Sequence, residues 1–266
     1  MNVQQLNQLQ QQTWTAGDFP KMGVELSIVG ELLCESIPVL AGDRVLDVGT
    51  ASGNTALAAA RRRATVTGVD ITPAMLERAR LRAAAEGLHI DFQEGDATAL
   101  TFADESFDVV MSTFGAIFAP DPQKTASEMA RVCRRGGKIA MAVWTPDGLL
   151  GKLFRLLARY SPPDAQVDLP VTWGEEAILN QRLGPYVTGL LIKRQVVRFR
   201  SPSASVWVEF MKTHFGPAIN AFEHSSSDAR QKLTKEMTGL IQEFNRSPNS
   251  TILSDSEYLD VVGVRR

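Results

Sequence analysis

Val45-Leu46-Asp47-Val48-Gly49-Thr50-Ala51-Ser52-Gly53-Asn54 joins a short apolar run to the start of an alanine-rich one. Arg44 to Val48 reads as a buried strand and Thr55 to Arg63 as a helix, so both glycines fall in the turn between them. Glycine at 49 and 53 lets the backbone turn tightly and come close to a ligand where a β-carbon would collide. The helix start behind the turn offers unpaired N–H groups. Asp47, at the strand end, is placed to accept from a ligand ammonium, directly or through water.

The same alternation continues downstream. Thr65 to Val69 reads as a second strand, ending at Asp70-Ile71-Thr72-Pro73, where Thr72 suits a helix cap and Pro73 the first helical position. That helix stops at Gly87. His89 to Gln93 is a third strand ending at Gly95-Asp96, and Phe107 to Ser112 a fourth, apolar enough for burial on both faces. Asp121-Pro122 starts a helix expected to reach Arg135, with Gly136-Gly137 ending it before a fifth strand, Lys138 to Trp144. A βαβαβ rhythm of this kind predicts a parallel sheet covered by helices, with ligands at the carboxyl ends of its strands. The unusual residues fall at those ends.

Beyond Trp144 the rhythm changes. Leu149 to Leu157 makes a broad apolar helix face, followed by Ser161-Pro162-Pro163-Asp164. Leu190 to Phe199 reads as a sixth strand, Ser205 to Phe244 as mainly helical, and Thr251 to Val264 as a last strand. Residues 1–266 are read as one domain, with an N-terminal helical cap at 1–40 and a core at 41–144. Lid or substrate-facing elements are expected at 145–190 and 203–246, and the final strands at 191–202 and 250–266. The connection between strands five and six is far above ordinary loop length; long excursions at the ligand-facing end often form lids, with a purely structural subdomain as the alternative.

Composition narrows the partners. The chain has 266 residues, 44% of them hydrophobic, and a formal net charge of −2. No basic field for nucleic acid is present. The Arg61-Arg62-Arg63 run ends a helix, where cations complement the dipole, so it reads as a solvated cap. Cys34 and Cys133 lack pairing or metal-ligand spacing and suit a reducing cytoplasm. Met1 to Gln12 is rich in Gln and Asn and lacks an export-signal pattern, and no apolar run reaches membrane-spanning length. A cytoplasmic protein with no metal site is the expectation, and its oligomeric state is left open.

Asp-x-Gly-x-x-x-Gly after a first strand resembles motif I of the class I S-adenosylmethionine-dependent methyltransferases, with Ala51 where the usual form has another glycine. Asp70 stands 23 positions after Asp47 and matches the family's ribose-binding acid, with Ile71 and Met75 flanking the adenine. Glu94-Gly95-Asp96-Ala97 resembles the adenine-contacting turn, and Ser112 to Phe114 the strand end that meets the methionine part. Arg134-Arg135-Gly136-Gly137-Lys138 resembles the turn before strand five, a structural marker. The resemblance implies a doubly wound, mostly parallel seven-stranded α/β sheet, Rossmann-like, with an inserted helical lid. It also implies S-adenosyl-L-methionine as cofactor and S-adenosyl-L-homocysteine as product. The implied cofactor set is Phe19, which would close over the ligand, with Asp47, Gly49, Thr50, Gly53, Asp70, Ile71, Met75, Asp96, Ala97, Ser112 and Phe114.

Each element alone has a plainer reading: a strand-end carboxylate caps turns, glycine pairs punctuate loops, and an aromatic near the N-terminus anchors a mobile arm. Their order along successive strand ends is what carries the resemblance. His214 is the candidate base, sharing a helix face with Val206, Trp207, Phe210 and Met211, although a histidine on an apolar face is more often a satisfied core or rim residue. Ser112-Thr113-Phe114-Gly115 lacks the Asn/Asp-Pro-Pro-aromatic run of enzymes that methylate adenine or glutamine nitrogen. A small, partly apolar acceptor is expected, with carbon, oxygen and nitrogen all open. The chain is similar to methyltransferases of quinone biosynthesis and natural-product tailoring. Two other readings stand beside this one. One is a catalytically silent cofactor-binding sensor or partner protein. The other is an NAD(P)-dependent oxidoreductase, whose fingerprint wants glycine where Ala51 and Asn54 stand.

Overall fold

The computed structural model describes residues 3–161 and 170–266. Pro162, Pro163 and Asp164, expected to follow the Leu149 to Leu157 helix, lie outside the described residues. One seven-stranded sheet runs in the order β3-β2-β1-β4-β5-β7-β6. The strands are β1 (Arg44–Val48), β2 (Thr65–Asp70), β3 (Ile90–Glu94), β4 (Phe107–Thr113), β5 (Cys133–Trp144), β6 (Val187–Ser201) and β7 (Ile252–Arg265). Strands β1 to β5 are mutually parallel. β7 is antiparallel to both β5 and β6. β5 and β6 therefore point the same way, and six carboxyl ends share one edge of the sheet.

The connecting helices are those the alternation predicts: α3 (Asn54–Arg61), α4 (Pro73–Ala85) and α5 (Pro122–Val132). β1 and β4 are buried on nearly every residue because helices cover both faces. Asp121 caps α5 by accepting from the Lys124 N–H at 2.8 Å. Thr72 does not cap α4 with its side chain, since the Thr72 hydroxyl has no partner and the Thr72 N–H instead donates to Asp70 at 2.9 Å. α5 also ends at Val132, short of the expected Arg135. Cys133 is extended and pairs with Phe107, and Arg134 donates to Asp108 at 2.6 Å, so sheet pairing takes these residues from the helix. The expected glycine stop is a bulge within β5, where Gly136 has φ +70.

N-terminal to the sheet lie α1 (Val3–Thr15) and α2 (Phe19–Ser36). Between β5 and β6 come α6 (Leu149–Ala158) and α7 (Glu176–Leu183), and between β6 and β7 come α8 (Ala204–His214), α9 (Gly216–Glu223) and α10 (Ser227–Glu243). The arginine run is more than a solvated cap. Arg61 pairs with Glu31 and Glu86, each at 2.6 Å, and Arg62 with Glu31 at 2.6 Å and with Glu35, clasping α2, α3 and α4 together. Cys34 and Cys133 are buried and free, and burial pushes each thiol up to about 12, so neither is a nucleophile at neutral pH. Among the described residues no helix is long and apolar enough to cross a membrane.

Candidate functional site

A cleft enclosing about 1160 Å³, its open mouth included, crosses the carboxyl ends of five strands. Sheet order arranges its lining: Asp96 and Ala97 after β3, Asp70 and Ile71 after β2, Gly49 to Ser52 after β1, Thr113 and Phe114 at β4, and Trp144 at β5. Polar groups thus crowd one end and apolar groups the other.

The β1 turn is shaped by contact with protein. Gly49 has φ +68, and a β-carbon there would lie 2.7 Å from the backbone of Gly115. The loops after β1 and β4 touch through two glycines because no larger residue fits between them. Gly53, at φ +86, would place a β-carbon 3.2 Å from Ala79 and 3.3 Å from Phe92, so it lets α3 sit against α4 and β3 and does not line the cleft. Ala51 holds φ +46 without being glycine.

Asp47 lies beneath this turn, 1% exposed, and is not part of the cleft lining. One of its oxygens accepts from the Thr50 hydroxyl at 2.7 Å and the Ala56 N–H at 3.0 Å, while Oδ1 has no protein partner. Burial pushes this carboxyl up to about 7 against those two donors. Asp47 therefore braces the loop from behind. Ser112 is likewise fully buried: its hydroxyl donates to the Val48 carbonyl at 2.6 Å and accepts from the Ala116 N–H at 2.9 Å, tying the two loops together.

Asp70 does face the cleft. Its oxygens accept from the Ala51 N–H and the Thr72 N–H, each at 2.9 Å, which fixes the carboxylate at the end of β2. Burial raises its pKa and the two N–H donors oppose that rise. Asp96 accepts from the Thr98 N–H at 2.7 Å and the Thr98 hydroxyl at 2.8 Å. Thr50, Ile71, Met75 and Ala97 also line the cleft.

The helices outside the sheet close the cleft. α1 supplies Asn7, Gln10 and Trp14, α2 supplies Phe19, Met22 and Leu26, and α6 supplies Leu150 and Phe154. Trp14 is the hub of an aromatic wall, with ring centroids 5.2 Å from Phe19, 4.7 Å from Phe118 and 6.1 Å from Phe215. Phe114, at φ +59, stacks on Trp144 at 3.6 Å. The Asn7 amide donates to Asp96 at 2.6 Å, leaving the Asn7 Oδ1 buried without a protein partner. The Thr72 hydroxyl, also in the lining, is equally unpartnered.

Sequence reasoning missed Asn7 and Trp14 as site residues. The signal was present: Asn7, Gln10 and Trp14 recur at helical spacing on one face. His214 is not brought to the cleft. It sits at the end of α8, edge-on to Phe210 with centroids 4.8 Å apart, and is not part of the lining. Among the described residues no cluster of His, Cys, Asp and Glu is placed to hold a metal.

A family model described as a methyltransferase domain matches residues 46–141, the span holding the Gly49 turn, Asp70 and Asp96. A Mycobacterium tuberculosis protein described as uncharacterized is 37% identical over 257 residues, 95% of this chain and 93% of that one. The demethylmenaquinone methyltransferase of Deinococcus radiodurans is 39% identical over 124 residues, 45% of this chain and 52% of that enzyme. Among solved structures, the YcgJ protein of Bacillus subtilis shares the fold with TM-score 0.58 and 24% identity, over 88% of this chain and 97% of that one. With the sheet order and the strand-end cleft described above, the chain belongs to the class I S-adenosylmethionine-dependent methyltransferases.

Proposed function

We propose that the cleft binds S-adenosylmethionine and that the chain passes its methyl group to a small, largely apolar acceptor, leaving S-adenosylhomocysteine. The observation that carries this reading is the order of groups across the strand ends, polar at β3 and β2 and apolar at β4 and β5. A purine fits between Ile71 and Ala97, with its exocyclic amine toward Asp96 and the unpartnered Asn7 Oδ1. Ribose hydroxyls fit Asp70, with the unpartnered Thr72 hydroxyl beside it. Orphaned acceptors of this kind cost stability unless a ligand satisfies them. The methionine part fits over Gly49 and Thr50, toward Thr113.

When bound, the cofactor supplies a methyl group already activated on a sulfonium. The chain's own task is then to orient the acceptor and exclude water. The Trp14, Phe118 and Phe154 wall excludes water, and aromatic faces also favour a cationic centre. Among the described residues the ionisable side chains of the lining are Asp70 and Asp96 alone, and both are committed to backbone N–H groups. The lining therefore offers no histidine, lysine or tyrosine as a base, which suits an acceptor that is nucleophilic in its own prevailing charge state.

Incubation with methyl-tritiated S-adenosylmethionine and a panel of apolar acidic phenols, aromatic amines and 1,3-diketones, each nucleophilic near neutral pH without a protein base, tests this. Label should pass to an extractable product. Cofactor binding with no transfer to any member of a broad panel would instead support a binding-only protein.

A further inference from the structure

A second cavity of about 660 Å³, its mouth included, adjoins the cleft. Met22 and Leu150 line both spaces, so these two side chains form the partition between them. Beyond it the walls are buried Phe199, Trp207 and Met211, with Val206 at the rim, 47% exposed. Its two charged groups, Glu25 and Arg200, are exposed, and apart from them and Ser201 the lining is apolar.

The topology makes the two spaces one line. β6 runs parallel to β5, with β7 between them; Trp144 and Gln195 both pair with Tyr258, so Phe199 to Ser201 project past Trp144 on the carboxyl side of the sheet. The cleft runs from Asp96 through Asp70, Gly49 and Phe114 to Trp144 along the carboxyl edge, and the second cavity takes over past Met22 and Leu150, toward the projecting end of β6 at Phe199. Methionine, unbranched and flexible, makes a partition that can turn aside.

We propose that the second cavity holds the far end of the acceptor. The acceptor is then an elongated apolar molecule whose reacting atom lies on the Phe114–Trp144 side of the cleft and whose chain passes between Met22 and Leu150. This rests on the methyl-transfer reading above. It adds a binding site and a substrate class: molecules with an aliphatic or polyaromatic extension, selected by length.

The test is a calorimetric titration of 4-butyl-, 4-hexyl- and 4-octylphenol into the full chain, with and without saturating S-adenosylhomocysteine. Affinity should rise roughly fourfold per methylene, the factor expected for burying that group. Val206→Trp narrows the mouth and should weaken octylphenol by about tenfold while leaving butylphenol and S-adenosylhomocysteine unchanged. Unchanged S-adenosylhomocysteine affinity also shows that the variant folds, and if it does not, Val206→Phe replaces it. An affinity independent of chain length, no binding of any homologue, or octylphenol bound equally well by the variant would overturn the proposal. Failure of S-adenosylhomocysteine to bind, with the length dependence intact, counts against the methyl-transfer reading alone.

Discussion

The Asn7 amide donates to the Asp96 carboxylate across 89 positions of sequence, at 2.6 Å. That bond lays α1 over the end of β3 and turns the Asn7 carbonyl into the site with no partner of its own. α1 is held at its other end as well, by Asn220 donating to Thr13 at 2.8 Å and by Gln11 donating to the Ile71 carbonyl. Asn7→Ala should weaken S-adenosylhomocysteine by about 1 kcal/mol, the worth of one hydrogen bond. S-inosylhomocysteine, which lacks the purine amine, should lose less, and equal losses for the two would remove Asn7 from adenine recognition.

The meeting of Gly49 and Gly115 is the tightest constraint in the site. A β-carbon at Gly115 would lie 2.1 Å from the Gly49 carbonyl oxygen, and both neighbours are backbone that cannot rotate away. Gly115→Ala should destabilise the fold by roughly 3 kcal/mol, at the upper end of ordinary overpacking, and should cost cofactor binding as the loop shifts. Ala51→Gly relieves a left-handed alanine and should gain up to about 1 kcal/mol, partly offset by the freer unfolded chain. Urea denaturation of both variants reads these signs directly.

Asp47 makes the fold's stability depend on pH. Its carboxyl stands at about 7 in the folded chain against an ordinary value of 3.8. The folded state therefore binds a proton more tightly than the unfolded state does. Ionisation costs stability progressively as pH rises between those values, and the penalty is complete above the upper one. Moving from pH 8 to pH 5.5 should stabilise the native sequence by about 2 kcal/mol relative to Asp47→Asn. Parallel slopes for the two proteins would show Asp47 ionised throughout.

His214 stands outside the cleft, so His214→Ala should retain wild-type methyl transfer and S-adenosylhomocysteine affinity once an acceptor is in hand. A loss of turnover with binding intact would place the histidine at the reacting atoms after all.

Much of the fold was legible because local signals agreed with one another: apolar strands, Asp-Pro helix starts and glycines at strand ends. Asp70, Asp96 and Phe114 reach the cleft because strand ends leave little freedom in where they point. Other positions read differently once packed. Gly53 and Ser112 serve contacts between elements because each is met by a partner far away in sequence, Ala79 and Val48, while Asp47 turns inward to brace its own loop through Thr50 and Ala56. The glutamine-rich N-terminus hid Asn7, since polar helices gain meaning only from what they are laid against. Arg134 looked helical until its partner, Asp108 on the neighbouring strand, was in view.

Everything proposed for this cleft depends on carboxylates at the ends of β2 and β3 gripping an adenosyl group. Calorimetric titration of S-adenosylhomocysteine into the native chain and into Asp70→Ala, with NADH as comparison ligand, examines that grip. Tight one-to-one binding should fall by about 1 to 3 kcal/mol in the variant, as expected for lost hydrogen bonds to a charged group, with no heat from NADH. Equal affinity in the two proteins, or NADH bound in preference, would contradict it.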